Sequence, residues 1–227
     1  ADPSHALAGH RAGQRVRLHQ HPGALGRPRD PLPRAYPWYV LVELTDTRLD
    51  LGLAELLETE LGQAVADGAV CDGTVAATES QARALWRLRE NISEAQKREG
   101  VSIKHDVSVP IGAIPAFIER AGEKLAAAYP GVRVICFGHL GDGNLHYNQS
   151  RPLQSENAAF IACTPEVNEV VYGVVRELGG SISAEHGIGQ LKRDVLAFYK
   201  EPVELEMMRR IKAAFDPCGT MNPGKVL

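Results

Sequence analysis

The chain has 227 residues, of which 44% are hydrophobic and 23% are charged, so it can bury a sizeable core as one large domain or two small ones. Its formal net charge of −3 at pH 7 is too balanced for nucleic acid or an anionic membrane surface to be the main partner. No apolar run approaches the length of a membrane span, and the first residues lack the apolar stretch of a secretion signal. The four cysteines show neither Cys-x-x-Cys nor zinc-finger spacing. We therefore expect a cytoplasmic protein with reduced thiols and no transmembrane segment.

The first 34 residues are rich in Arg, His, Pro and Gly and lack periodic apolar residues, which indicates a linker or poorly ordered arm before a domain at 35–227. In chain order we then predict a strand at 38–44, a helix at 50–66, a short strand at 69–75 and a helix at 78–99. The last of these begins at a Thr78 capping box and ends at Gly100.

The second half alternates in the same way. We predict a strand at 101–109, a helix at 114–128, strands at 132–137 and 144–148, a helix that begins at Thr164-Pro165, and a last helix at 202–215. Strands that alternate with helices, together with one hairpin, predict an α+β fold with one sheet, helices packed on one face, and a C-terminal helical segment.

The Gly-rich turn 138–143 joins two of the predicted strands and carries the first candidate site. Strand alternation places Asn144, His146 and Asn148 on one face of the second strand, and the turn can bring His139 back toward His146. Two neutral imidazoles on one side of a hairpin make half of a metal site. The alternative is a tight turn whose histidines are satisfied by hydrogen bonds.

A second loop, 181–189, follows a Gly-Gly helix end and contains Glu185 and His186. Glu185 could complete a set of two histidines and one carboxylate for Zn, Mn or Fe(II), which leaves His186 free for acid–base work. The alternative is a helix-connecting loop with a surface ion pair.

The helix at 78–99 places Arg89 and Ser93 on one face, and Lys104 lies on the following strand. Arginine binds a carboxylate bidentately, so a substrate carboxylate is a natural partner. A salt bridge to a protein carboxylate is the alternative.

The segments 138–146 (Gly-His-Leu-Gly-Asp-Gly-Asn-Leu-His) and 183–187 (Ser-Ala-Glu-His-Gly) together resemble the C-terminal domain of FAD-linked oxidases, in the branch of D-2-hydroxyglutarate and D-lactate dehydrogenases. They are also similar to the FAD-binding subunit of glycolate oxidase. The ending 216–227 is similar to that of the family, so the resemblance covers about 36–227. It implies a ferredoxin-like antiparallel sheet with helices on one face, and an N-terminal FAD-binding domain that this chain lacks.

The resemblance also implies roles for single residues. It implies that His139, His146 and Glu185 bind a divalent metal, with Zn first and Mn or Fe as alternatives, and that His186 is the general base. It further implies that the substrate carboxylates are held by Arg89, Ser93, Lys104 and Asn148, and that Asn144 and Asn222 approach the FAD.

The expected function is oxidation of a D-2-hydroxy acid, of the 2-hydroxyglutarate, malate or lactate type, to the 2-oxo acid by hydride transfer to FAD. The electron acceptor that reoxidises the flavin is not identified by the sequence, and a homodimer is one expected assembly. We expect the isolated chain to be inactive, since it has no electron sink. A metal-dependent hydrolase, or a non-catalytic domain that binds small acids or a partner, remains an alternative.

Overall fold

The computed structural model describes residues 14–16, 31–47 and 52–227. The segment interpreted as a linker or arm lies mostly outside these residues, although Gln14–Val16 within it forms a strand of the sheet. Within the described part of the chain, no helix is long and apolar enough to cross a lipid bilayer. The four cysteines all lie in it, and each is a free thiol.

The described elements form one antiparallel sheet and a set of helices, which confirms the α+β class. The strands are β1 (Gln14–Val16), β2 (Tyr39–Leu41), β3 (Ser102–Ile103), β4 (Asp106–Ser108), β5 (Arg133–His139) and β6 (Asn144–Ser150). The α-helices are α1 (Leu53–Ala66), α2 (Glu79–Glu90), α3 (Ile92–Arg98), α4 (Ile114–Ala128), α5 (Asn157–Ala162), α6 (Thr164–Glu177), α7 (Arg193–Tyr199) and α8 (Pro202–Phe215). The strand order is β2-β1-β5-β6-β3, and β4 continues along the same edge of β6.

Helices α4 and α6 cover one face of the sheet and form the main core. Their buried residues recur at helical spacing and meet the inward side chains of β4, β5 and β6. At the centre, the rings of Phe117 and Tyr147 pack edge to face with centroids 5.0 Å apart, and neither side chain is exposed. Leu145 and Tyr147 therefore face the core, which leaves the alternate residues of β6 on the opposite face, as strand alternation predicts.

The other face of the sheet carries a second, smaller apolar cluster, in addition to the main core that the helices form on one face. Ile135 and Phe137 of β5 point away from the main core and pack against Ile92 of α3, with Tyr39 beside them. Strand β5 is therefore apolar on both faces, and its second face needs a helix to exclude water.

The structure confirms one local prediction and differs from others. The capping box is confirmed, since Thr78 accepts from the Gln81 N–H and the Gln81 side chain accepts from the Thr78 N–H. The helix predicted at 78–99 is divided at Asn91 into α2 and α3. No strand forms at 69–75, where the chain passes from α1 to α2 without a sheet partner. Helices α5 and α7 were not predicted.

Candidate active site

The hairpin of β5 and β6 presents the first group of predicted residues on one face. Its register pairs His139 with Asn144 and Phe137 with His146. One turn of 3₁₀ helix joins the strands and ends at Gly143, which has a φ of 73°. A Cβ at Gly143 would lie 1.9 Å from the Val109 carbonyl oxygen, so this close turn requires glycine. These side chains lie on the α3 side of the sheet, opposite the main core.

The second loop reaches the hairpin through the edge strand β4. Ser181 and Ser108 exchange two backbone hydrogen bonds, of 2.8 and 2.9 Å, directly after α6 ends. The Glu185 carboxylate then lies with Oε1 3.2 Å from His139 Nδ1 and Oε2 3.7 Å from His146 Nε2. The structure thus brings together the three residues that the sequence suggested as metal ligands.

Asn144 completes this group. Its side-chain amide donates to Glu185 Oε1 and lies 3.1 Å from His139 Nδ1. Asn144 is buried, and its Oδ1 has no hydrogen-bond partner among the described residues. In this structure Asn144 therefore contacts the predicted metal ligands, and an approach to a flavin stays a prediction.

Asp106 on β4 is a residue of the site that the sequence reasoning missed. Its carboxylate is 3% exposed and accepts the backbone N–H groups of Ala184 (3.1 Å), Glu185 (3.1 Å) and His186 (2.9 Å). The Ser183 hydroxyl donates to it as well, at 3.2 Å. Burial alone would raise the pKa of Asp106, but the N–H groups of His186 and Glu185 hold it below its usual value.

Alternation along 101–109 places Asp106 with Ser102, Lys104 and Ser108 on the polar side of the predicted strand, so the sequence gives no sign that this carboxylate is buried. A buried carboxylate needs donors, and these come from residues 183–186 in a distant segment.

His186 lies next to Asp106 and His146. Its Nδ1 is 3.8 Å from Asp106 Oδ2, and its ring centroid is 5.8 Å from that of His146. The side chain is 68% exposed, so it remains open to solvent or a ligand. Ligand atoms of Asp106, His146 and His186 lie within 4.8 Å of one another, which makes a second set of three that shares His146 with the first.

His146 is half-buried beside Phe137. Burial lowers its pKa below the usual value, although the carboxylates of Glu185 and Asp106 act in the opposite direction. Burial thus favours the neutral imidazole, which is the form that binds a metal.

Arg89 of α2 lies above Phe137, with Cζ 4.9 Å from the ring centroid. Its buried Nε has no hydrogen-bond partner among the described residues. Burial lowers the pKa of the guanidinium, while the charges of Glu185 and Glu90 oppose that change. The guanidinium is thus a cation that faces the candidate site, and its Nε–H is available to donate a hydrogen bond to a ligand.

The register places Lys104 on the same face. Ile103 pairs with Gln149 and Asp106 with His146, so the unshifted ladder sets Lys104 opposite Asn148. Lys104 is exposed. Asn148 is buried and is engaged with the protein, since it donates to Gln96 at 2.8 Å and accepts from the His105 N–H at 3.3 Å.

Ser93 and Asn222 are less closely placed. Ser93 is exposed in the first turn of α3, and Asn222 is exposed in the C-terminal turn with a φ of 47°. No hydrogen bond joins either side chain to the candidate site within the described ranges. The C-terminal turn does touch the second loop, because the Val226 N–H donates to the Gly189 carbonyl at 2.7 Å.

Lys192 is a further residue that the sequence did not indicate. Its half-buried ammonium donates to the Ile182 carbonyl at 2.7 Å and to the Asp106 carbonyl at 3.4 Å. Burial lowers its pKa, and the Asp106 carboxylate opposes that change. Lys192 therefore links the second loop to β4 by donating to one backbone carbonyl of each.

Comparison with known proteins gives several curated relatives of this chain. D-2-hydroxyglutarate dehydrogenase of Stutzerimonas stutzeri (strain A1501) is 40% identical over 204 residues, which cover 89% of this chain and 43% of that protein. The enzyme of the same name from Xanthomonas citri pv. viticola is 39% identical, with 86% and 41% covered. The mitochondrial enzyme of Bos taurus is 40% identical, with 84% and 34% covered. The chain thus spans less than half the length of these curated relatives.

The family described as FAD linked oxidases, C-terminal domain, matches residues 7–226. The match begins well before residue 36, where the sequence resemblance starts. Because it covers almost the whole chain, this chain belongs to the family of FAD linked oxidases, C-terminal domain.

Proposed function

We propose that His139, His146 and Glu185 bind a divalent metal ion, with Zn as the first candidate and Mn or Fe(II) as alternatives. The observation that carries this proposal is the Glu185 carboxylate, whose two oxygens approach two different imidazoles at 3.2 and 3.7 Å. Two imidazoles and one carboxylate form a recognised donor set for these metals. The buried Asn144 Oδ1, unpartnered among the described residues, leaves a further oxygen beside them.

The second set, which contains Asp106, is the weaker candidate. Asp106 Oδ2 already faces four donors from residues 183–186, so few of its lone pairs are free for a cation. The Glu185 oxygens accept only from Asn144 among the hydrogen bonds of the described residues, apart from the two histidines.

We further propose that the chain is the substrate-binding and metal-binding part of an FAD-dependent enzyme that oxidises a D-2-hydroxy acid to the 2-oxo acid. D-2-Hydroxyglutarate is the first candidate substrate, because the relatives carry that name. A substrate with two carboxylates also matches two cations, Arg89 and Lys104, on one face of the sheet better than lactate does.

In this proposal the residues of the chain bind and orient the substrate. Arg89 pairs with one substrate carboxylate, and Lys104, Ser93 and Asn148 bind the other. His186 accepts the proton of the C2 hydroxyl as the C2 hydrogen leaves as hydride. A bound divalent cation supplies Lewis acidity to the hydroxyl, and FAD supplies the acceptor for the hydride.

Metal binding can be tested on the chain itself by calorimetric titration with Zn²⁺ and Mn²⁺. We expect one cation per chain, and Glu185→Gln should weaken its affinity at least about tenfold because it removes a charged ligand. Glu177→Gln is the matched control, since Glu177 is an exposed glutamate paired with Lys124. Equal affinity of the Glu185 variant and the parent chain would remove Glu185 from the site.

The reaction can be tested in a protein that carries this chain together with bound FAD. Anaerobic addition of D-2-hydroxyglutarate should bleach the flavin absorbance, and the L enantiomer should not. His186→Ala should slow bleaching by roughly 10²-fold or more, the usual effect of losing a general base. Turnover of an ester or amide without any flavin change would instead favour the hydrolase.

A further inference from the structure

The loop 183–186 converges on one buried carboxylate. Three consecutive backbone N–H groups, those of Ala184, Glu185 and His186, point at Asp106, and the Ser183 hydroxyl joins them. The side chains of residues 184–186 are themselves exposed. The order of this loop therefore comes from its backbone and not from packing of its side chains.

These hydrogen bonds determine the backbone positions from which the Glu185 and His186 side chains extend. Once the amides of Glu185 and His186 are fixed, the Cα–Cβ direction of Glu185 between them is fixed, and so is the position of the His186 Cα. Glu185 then extends to His139 and His146, while His186 stays beside Asp106. The next residue, Gly187, has a φ of 71°. Glycine adopts this backbone conformation without the steric cost that other residues incur.

Other contacts hold the start of the loop and the strand beneath it. The Ser108–Ser181 bridge holds the loop against β4, and Lys192 donates to both the Ile182 and Asp106 carbonyls. Neither contact reaches the backbone of Glu185 or His186. Among the described residues, the Asp106 carboxylate provides the hydrogen bonds to those two N–H groups.

We propose that Asp106 is a positioning residue, which sets the geometry of Glu185 and His186 through their backbone N–H groups without binding the cation itself. This inference rests on the proposed metal site. It predicts that the carboxylate is needed for charge and acceptor capacity, because an amide in its place carries no negative charge and has one acceptor oxygen, where both Asp106 oxygens accept from the Glu185 N–H.

Hydrogen–deuterium exchange on the unaltered chain tests the first step without a metal. The N–H groups of residues 184–186 should exchange on the order of tenfold or more slowly than that of Gly187, after correction for intrinsic rates. For Gly187 N–H the described residues show no acceptor. Asp106→Asn should remove that protection. Fast exchange of all four amides in the unaltered chain would overturn the proposal. This test does not depend on whether the Asp106→Asn variant folds.

Cation affinity tests the second step. Asp106→Asn should weaken Zn²⁺ or Mn²⁺ binding by about 10- to 100-fold, as for other residues that orient ligands. Asp216→Asn is the matched control, because Asp216 is also a buried carboxylate that accepts loop N–H groups, from Thr220 and Met221. Urea unfolding of both variants compares their stabilities.

The outcomes separate the two proposals. A specific loss of affinity in Asp106→Asn supports the positioning role, whereas equal losses in both aspartate variants indicate general destabilisation and overturn it. If the parent chain binds a cation and Asp106→Asn binds it equally well, the positioning role fails while the metal site stands. If the parent chain binds no cation, the proposed metal site fails, and the exchange rates alone decide the role of Asp106.

Discussion

His105 is a buried histidine that the candidate site does not use. Its ring is 1% exposed and packs edge to face on Tyr172 with centroids 5.2 Å apart. Its nitrogens lie 3.2 Å from the Tyr147 carbonyl and 2.9 Å from the Asn168 side-chain oxygen. Burial lowers the pKa of His105 from 6.5 to about 4, so the neutral ring is the folded form.

The stability of the chain should therefore fall as the pH falls from about 6.5 to about 4. In this window the unfolded chain binds a proton at His105 that the folded chain does not, and the loss reaches roughly 3 kcal/mol at the lower limit. Above pH 6.5 His105 contributes no pH dependence. Urea unfolding across this range measures the effect, with His105→Gln as the comparison. An equally steep pH dependence in that variant would contradict the assignment.

Single residues divide clearly into those that sequence could and could not identify. His139, His146 and Glu185 were recognisable because each stands in a short motif with glycines that mark a turn. Asp106 was not, since its donors lie at positions 183–186 in a distant segment. Lys192 was not, since no local pattern indicates that its ammonium reaches the Ile182 and Asp106 carbonyls. The substrate role of Asn148 stays a prediction, and its side chain is hydrogen-bonded to Gln96 and to the His105 N–H.

At the scale of elements, replacing a glycine in the turn between β5 and β6 tests how tightly this hairpin is packed. Gly143 and Gly68 have the same φ of 73°, but only Gly143 has a close neighbour at the Cβ position, the Val109 carbonyl oxygen. Gly68→Ala should cost about 1 kcal/mol of unfolding free energy for its backbone conformation alone. Gly143→Ala should cost roughly 1–3 kcal/mol more because of the overlap. Denaturant unfolding measures both, and equal costs would show that the turn relaxes freely.

The core that helices α4 and α6 form against the sheet can be tested in the same way. Phe117 of α4 is fully buried against Tyr147, whereas Phe198 of α7 is 73% exposed. Phe117→Ala should destabilise the chain by about 3–5 kcal/mol through lost burial and a cavity. Phe198→Ala should change stability by less than about 0.5 kcal/mol. Thermal or urea unfolding distinguishes them, and a small effect at Phe117 would contradict the assigned core.

Elements with strong local signals were predicted well. The helix at 114–128 and the helix at 202–215 have the bounds expected from their periodicity and prolines. The strand predicted at 69–75 is wrong, because no strand among the described residues lies beside this segment to pair with it. The second helical layer was missed because helix α3 covers Ile135 and Phe137 from about forty residues earlier in the chain, which periodicity alone does not reveal.

At the scale of the whole molecule, α8 carries an exposed apolar ridge. Val203, Met207, Ile211 and Phe215 follow one another at intervals of four residues and are 66%, 59%, 58% and 78% exposed. Contiguous apolar surface of this kind favours association over hydration.

The isolated chain should therefore self-associate as its concentration rises, which sedimentation velocity can measure. The double change Met207→Glu with Ile211→Glu should shift the distribution to monomer, because it places charges in the middle of the ridge. Leu191→Glu is the matched control, since Leu191 is 96% exposed but lies outside α8. A parent chain that stays monomeric at every concentration would contradict this expectation.

The hydrogen bond from Val226 to Gly189 has a practical consequence for every experiment on the loop 183–186. The last residues of this chain lie against the same segment that carries Glu185 and His186, and Lys225 also bonds to Gln190. A purification tag fused behind Leu227 would sit beside that segment and alter its exchange rates and metal affinity. A tag at this end should therefore be cleaved off before the exchange and binding measurements.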